Sequence, residues 1–112
     1  MNKYVVLYRA STSAADQMAN ATPEQMQAGM DAWMSWSQRA GSAIVDLGTP
    51  LGNGTHIADG AAQPSNSDVG GFSILQAEST DAALELLRDH PHLHMPGSSI
   101  ELLEAMPMPG GP

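Results

Sequence analysis

Three histidines stand two apart near the end of the chain: His90, His92 and His94, separated by Pro91 and Leu93. In an extended segment a period of two puts all three on one side, where neutral imidazoles could bind zinc, copper or nickel. Helical His-x-x-x-His pairs and cysteine pairs, the patterns that mark zinc most strongly, are absent. His90 also reads as the end of a helix, which breaks the alternation. The reading taken is therefore no metal. His92 and His94 instead line the mouth of a pocket, with His94 as a base near neutral pH beside Asp46 or Glu101. Surface loop histidines are the alternative.

Strand alternation supplies the rest of that pocket. If Phe72 and Ile74 face the helices, Ser73 and Leu75 face the opposite side. Val45 and Leu47 likewise turn to the helices while Asp46 turns away. Ile100 and Leu102 turn to them while Glu101 and Leu103 turn away. Asp46, Ser73 and Glu101 then share one partly apolar space. A carboxylate there has its pKa raised by desolvation and can act as a general acid or base. The candidate catalytic set is His94, Asp46 and Glu101, and the candidate ligand-binding set is Ser73, His92, Tyr8 and Arg9. The alternative is structural: Asp46 and Glu101 bond to loop N–H groups or to an arginine such as Arg9. No phosphate loop, dinucleotide fingerprint or nucleophile elbow occurs, so no cofactor is expected.

The elements that must position these groups follow from periodicity. Lys3 to Arg9 is a nearly continuous apolar strand, of the kind buried on both faces. Ala10 to Ala21 reads as a surface loop. Thr22-Pro23-Glu24-Gln25 is a capping-box helix start, and Gly41 is the stop, which gives a helix over 23–40. Met26, Met30, Trp33, Met34 and Ser37 fall on one stripe, read as core filling, with Trp36 at its edge. Ala43 to Leu47 is a second strand. Thr55 to Ala58 reads as a hairpin arm, Asp59-Gly60 as a turn and 61–68 as a mobile loop. Phe72 to Ala77 is a third strand, Ser79-Thr80-Asp81 caps a helix over 82–87, and Pro91 ends it by His90. Ser99 to Met106 is the last strand, and 107–112 is a Pro/Gly tail.

The order β-α-β-β-α-β is the ferredoxin-like split arrangement, an α+β fold. Its antiparallel sheet has order 4-1-3-2, with both helices on one face. The chain is a single domain over 1–106. Val5 and Leu7 point one way and Tyr4, Val6 and Tyr8 the other, so the unhelical face is apolar too. That predicts a homodimer joined sheet to sheet. The alternative is a monomer with loop 51–69 folded over the sheet.

Composition limits the partners. Of 112 residues, only Lys3, Arg9, Arg39 and Arg88 are cationic, and the formal net charge is −8. Nucleic acid and anionic membrane surfaces are excluded on that balance. There is no cysteine, hence no disulfide and no thiolate metal site, which fits the cytoplasm. The apolar run after Met1 is too short for a signal-peptide core or a membrane span.

The motifs resemble a known family. GGFSILQAESTDAALELLRDHPHLH followed by SIELLEAMP, with KYVVLYR, TPEQMQAGMDAWMSW and VDLGTPLG, is similar to the YCII-related (DGPF-type) family over about residues 3–106. The resemblance implies a dimeric α+β barrel and a soluble bacterial protein without an assigned reaction. Two features depart from the family pattern. Asp59-Gly60 is followed by Ala61-Ala62, so the Asp-Gly-Pro-Phe signature is not intact. The histidine that short members carry on the first helix is missing from Met30-Asp31-Ala32-Trp33-Met34. The function expected is small organic ligand binding with His/carboxylate acid–base chemistry of isomerase, lyase or hydrolase type, or else a non-catalytic binding or interaction module.

Overall fold

A computed structural model describes residues 1–109. Its elements in chain order are β1 (Asn2–Ala10), α1 (Ala14–Asn20), α2 (Pro23–Ala40), β2 (Ile44–Asp46), β3 (Thr55–Ala58), β4 (Ala61–Pro64), β5 (Val69–Ala77), α3 (Thr80–Leu87) and β6 (Ser98–Glu104). Single 3-10 turns occupy Gly41–Ala43 and Pro91–His94. Residues 107–109 of the expected tail lie outside any strand or helix, and 110–112 fall outside the described residues.

The main sheet has order β2-β5-β1-β6, and every pairing in it is antiparallel. Counting only its four strands, this is the expected 4-1-3-2 order. The apolar β1 is central, as a strand buried on both faces must be. Tyr4, Val6 and Tyr8 of β1 and Leu75 and Ala77 of β5 are buried against Trp36 and Ala40 of α2 and Ala83 and Leu87 of α3. Ile100 and Leu102 of β6 close this layer. Both long helices thus lie on one face.

The opposite face carries two rows read straight across the strands. Phe72, Leu7 and Glu101 form one. Asp46, Ile74, Val5 and Leu103 form the other. None of the apolar members packs into the helix-side core, and Leu103 is plainly exposed. The molecule is correspondingly thin, with extents of 49 × 43 × 19 Å.

Helix α2 starts as its sequence dictates. Thr22 Oγ1 accepts from Gln25 N–H, and Gln25 Oε1 accepts from Thr22 N–H. Only its C-terminal half is seated, through Trp33, Trp36 and Ala40. The first half overhangs, and Met26, Met30 and Met34 are exposed. Met26 and Met30 fill no core because the helix outruns the sheet beneath it, and Met34, two residues from the seated Trp36, points to the other side of the helix. A Cβ at Gly29, one turn before Trp33, would meet nothing within 4 Å. Trp36, expected at the stripe's edge, is instead among the most buried side chains, and its indole N–H donates to Leu86 O. Thr22→Ala should therefore fray the overhang alone, at a cost of about 1 kcal/mol of helix stability. Amide hydrogen exchange would be faster over residues 25–30 and unchanged at Trp36 and Ala40.

Other expectations need correction. Residues 14–20 form a helix rather than a loop. Ser13 Oγ accepts from Asp16 N–H at its start, and a helix of seven residues without an apolar stripe leaves no periodic signal. Residues 61–64 are a strand, paired with β3 around the Asp59-Gly60 turn, where both φ angles are positive. All eight residues of this hairpin are exposed, so it is an arm and not a cover for the sheet. Among the described residues no helix is long and apolar enough to cross a membrane.

Candidate functional site

The site is built around the Pro91 stop. The residue before a proline is pushed out of the helical region, and His90 has φ −59° and ψ 138°. This turns its imidazole back under the chain, where Nδ1 accepts the backbone N–H of His92 at 3.0 Å. The ring thereby caps the turn Pro91–His94. The three histidines are consequently not strung along an extended segment. Among the described residues no group of three His, Cys, Asp or Glu side chains could hold a metal ion.

His90 is fully buried. Its ring centroid lies 4.3 Å from that of Trp36, 4.5 Å from Trp33 and 5.0 Å from Tyr8. Its Nε2 is 3.4 Å from Tyr8 Oη, and Tyr8 Oη is 2.8 Å from Ser73 Oγ. Ser73 Oγ lies 2.6 Å from the carbonyl of Leu47.

The direction of every proton in this chain can be assigned. A carbonyl can only accept, so Ser73 O–H donates to Leu47. Tyr8 O–H must then donate to Ser73. His90 Nδ1 is already an acceptor, so the neutral ring carries its proton on Nε2 and donates to Tyr8. All donors are used, and no buried side-chain nitrogen or oxygen among the described residues lacks a partner. Burial, reinforced by the nearby charges of His92, Arg39 and His94, holds the His90 pKa down at about 3. Burial likewise pushes the Tyr8 hydroxyl up to about 12, against the lowering effect of its bond to Ser73. At neutral pH the chain is fixed and uncharged.

His92 differs. Its Nε2 is 2.8 Å from Arg9 O, so this nitrogen carries the proton and donates. In the neutral ring Nδ1 is left as an acceptor with no partner among the described residues. Since no buried nitrogen is unpartnered, Nδ1 reaches the surface although the residue is 92% covered, being only 8% exposed. One ring nitrogen is thus anchored to a backbone carbonyl and the other is open to accept a hydrogen bond.

The carboxylates and Ser73 do not share a space. Ser73 and Leu75 face the helices, and Phe72 and Ile74 face away, the reverse of the expected parity. Both faces of this central strand are apolar, so side-chain hydrophobicity does not decide its parity. The small Ser73 is buried because its hydroxyl is satisfied on both sides. Asp46 lies on β2 and Glu101 on β6, at opposite edges of the sheet. Three strand spacings put them about 14 Å apart at least. Asp46 Oδ1 accepts from Gly48 N–H at 2.8 Å. Glu101 accepts from Arg9 at 2.6 Å, and Arg9 also donates to Asp68 at 2.9 Å. Both carboxylates thus make the structural contacts that stood as the alternative. His94 is exposed and makes no hydrogen bond or ion pair among the described residues.

His90 and Trp36 were missed as members of the cluster. The signal for His90 was the proline after it, which forces the ring to turn inward.

No family model matches the sequence, and no curated protein matches it. One similar solved structure is the 5-chloro-2-hydroxyhydroquinone dehydrochlorinase TftG from Burkholderia phenoliruptrix AC1100, in complex with 2,5-dihydroxybenzoquinone. Its TM-score is 0.49 at 20% identity, over 90% of this chain and 91% of that chain. A likeness at that level carries nothing about chemistry.

Proposed function

We propose that this chain acts as a homodimer, closed sheet to sheet, that receives a small organic molecule between its two sheets. This is the arrangement implied by the resemblance to the YCII-related family. The single observation that carries it is the sheet face opposite α2 and α3, whose centre of Val5, Leu7, Phe72 and Ile74 is apolar and joins neither helix-side core cluster. The face measures about 440 Å², four strands at about 4.8 Å by about seven residues on average at 3.3 Å. A stable interface buries about 800 Å² per partner, and the exposed β3–β4 arm can supply much of the remainder against a second copy.

The ligand would sit on Leu7 and Phe72 beside Arg9. The guanidinium of Arg9 is shared by two carboxylates, Asp68 and Glu101, so this rim carries one negative charge in excess. It favours a neutral or cationic molecule over an anion. NMR titration with benzylamine and with benzoate tests this. Benzylamine should shift the amides of Leu7, Arg9 and Phe72, and benzoate should not. Equal shifts with both, or none at these residues with either, would remove the site.

A second reading is acid–base catalysis by His94 with Asp46 or Glu101 and with His92 as support, whereas Ser73 and Tyr8, buried on the helix side, only brace the core. One observation favours it: among the described residues neither the His94 ring nor His92 Nδ1 has a hydrogen-bond partner, so either can meet a substrate. Within one subunit Asp46 and Glu101 stand on opposite sheet edges, so His94 can act with at most one of them.

A further inference from the structure

The loop that leads into the β3–β4 arm contains the one Asn-Gly pair in the chain, Asn53-Gly54. An asparagine followed by glycine is prone to cyclise. The backbone nitrogen of the next residue attacks the side-chain Cγ, and glycine has no Cβ to hinder the approach. Whether the reaction runs in a folded protein depends on how firmly the two residues are held.

Here little holds them. Residues 51–54 are exposed and belong to no strand or helix. Among the described residues the Asn53 side chain makes no hydrogen bond. The Gly54 N–H makes none either, and only its carbonyl is engaged, by Ser65 N–H at 2.9 Å. Asn53 has φ +52°, a left-handed conformation that asparagine adopts more readily than most residues.

The other amides and the other turn are better protected. Asn66 is followed by Ser67, whose N–H is taken by Ser65 Oγ at 3.0 Å. Asn2 lies in β1, paired with Ala77, and is followed by lysine. Asn20 is followed by alanine. Asp59-Gly60, which could form the same ring more slowly, is locked in a two-residue turn between paired strands.

We propose that Asn53 is a site of spontaneous covalent modification to aspartate and isoaspartate. In the first step Gly54 N gives up its proton and bonds to Cγ as the Cγ–Nδ2 bond breaks, and Nδ2 takes up a proton and leaves as ammonia. In the second, one water opens the succinimide at either carbonyl. Opening at one gives aspartate, and opening at the other gives isoaspartate. No oxidant or reductant takes part. Each event adds one negative charge to a chain already at −8. The isoaspartate form also adds a methylene to the backbone at the root of the arm. The inference does not depend on the ligand.

The test incubates the intact folded protein in mildly alkaline buffer and follows it by peptide mapping with fragment-ion sequencing. An isoaspartyl methyltransferase serves as the second probe. The expected result is the mass gain of an amide-to-acid exchange at Asn53, accompanied by methyl acceptance, ahead of Asn2, Asn20 and Asn66. Asn53→Gly keeps the positive φ and should lose both signals. Gly54→Ala is a poor control, since its Cβ would come within 2.9 Å of Ser65 Cβ. Conversion of Asn66 as fast as Asn53 would overturn the proposal. So would full protection of Asn53 in the folded chain when the urea-unfolded chain converts.

Discussion

Between pH 6.5 and pH 3 the protein should lose about 4–5 kcal/mol of stability through one side chain, His90. The sign follows from its depressed pKa. At pH 7 and above the ring is neutral in both folded and unfolded chains and contributes no pH dependence. Below 6.5 the unfolded chain binds a proton that the native ring, enclosed by Trp33, Trp36 and Tyr8, refuses until about pH 3. Each pH unit in that window favours unfolding by about 1.4 kcal/mol. A domain of this size has about 5–15 kcal/mol in total, so acid should unfold it or open the Pro91 turn first. Urea unfolding at a series of pH values measures this. His90→Asn keeps an acceptor for the His92 N–H but cannot titrate. It should start less stable at pH 7 and show a slope smaller by one proton between pH 6 and pH 4. Equal slopes in the two proteins would mean that His90 titrates normally and is not enclosed. Tyr8→Phe attacks the same cluster from the other end. It strands the His90 Nε2–H in the core at about 1–3 kcal/mol, and does so at neutral pH, where His90→Asn still holds its cap.

How much of this was legible in the sequence differs by element. The helix α2 start was, because Thr22, Pro23 and Gln25 are local chemistry and act within four residues. The sheet order was, because the β-α-β-β-α-β split pattern carries the order 4-1-3-2, with the doubly apolar β1 in the middle. The parity of β5 was not. To turn Phe72 and Ile74 to the helices is an assumption that nothing within the strand tests. What decided the matter was a pair of hydrogen bonds to Tyr8 and Leu47, residues 65 and 26 positions away. The methionines of α2 misled for a different reason. Periodicity reports which side of a helix is apolar, not whether anything lies beneath it. Asp46 and Glu101 were placed on the right face by alternation, yet the strand order already put them on opposite edges. Alternation within a strand says nothing about distance across the sheet.

Ile74→Lys should convert the proposed dimer into a folded monomer. Ile74 lies on the uncovered face, between Val5 of β1 and Asp46 of β2. In a single subunit a lysine there meets water and the Asp46 carboxylate directly across the strand pair, so the fold itself should tolerate it. At a two-fold interface the same lysine appears twice and has to be desolvated twice. At several kcal/mol per buried unpaired ion, the dissociation constant should rise by about two orders of magnitude or more. Sedimentation equilibrium reads the mass, and far-ultraviolet circular dichroism reads whether the fold survived. Leu84→Lys is the matched control. It is 52% exposed on α3, on the helix side, and should leave the dimer intact. The pair of variants separates two causes that a single one would confuse. If both dissociate, added positive charge merely changes a generally weak association. If neither does, the sheets are not the contact. A wild-type chain that sediments as one copy at every concentration removes the interface altogether, and with it the rim at Arg9 as an enclosed site, because a groove open to bulk water would have its charge preference screened away.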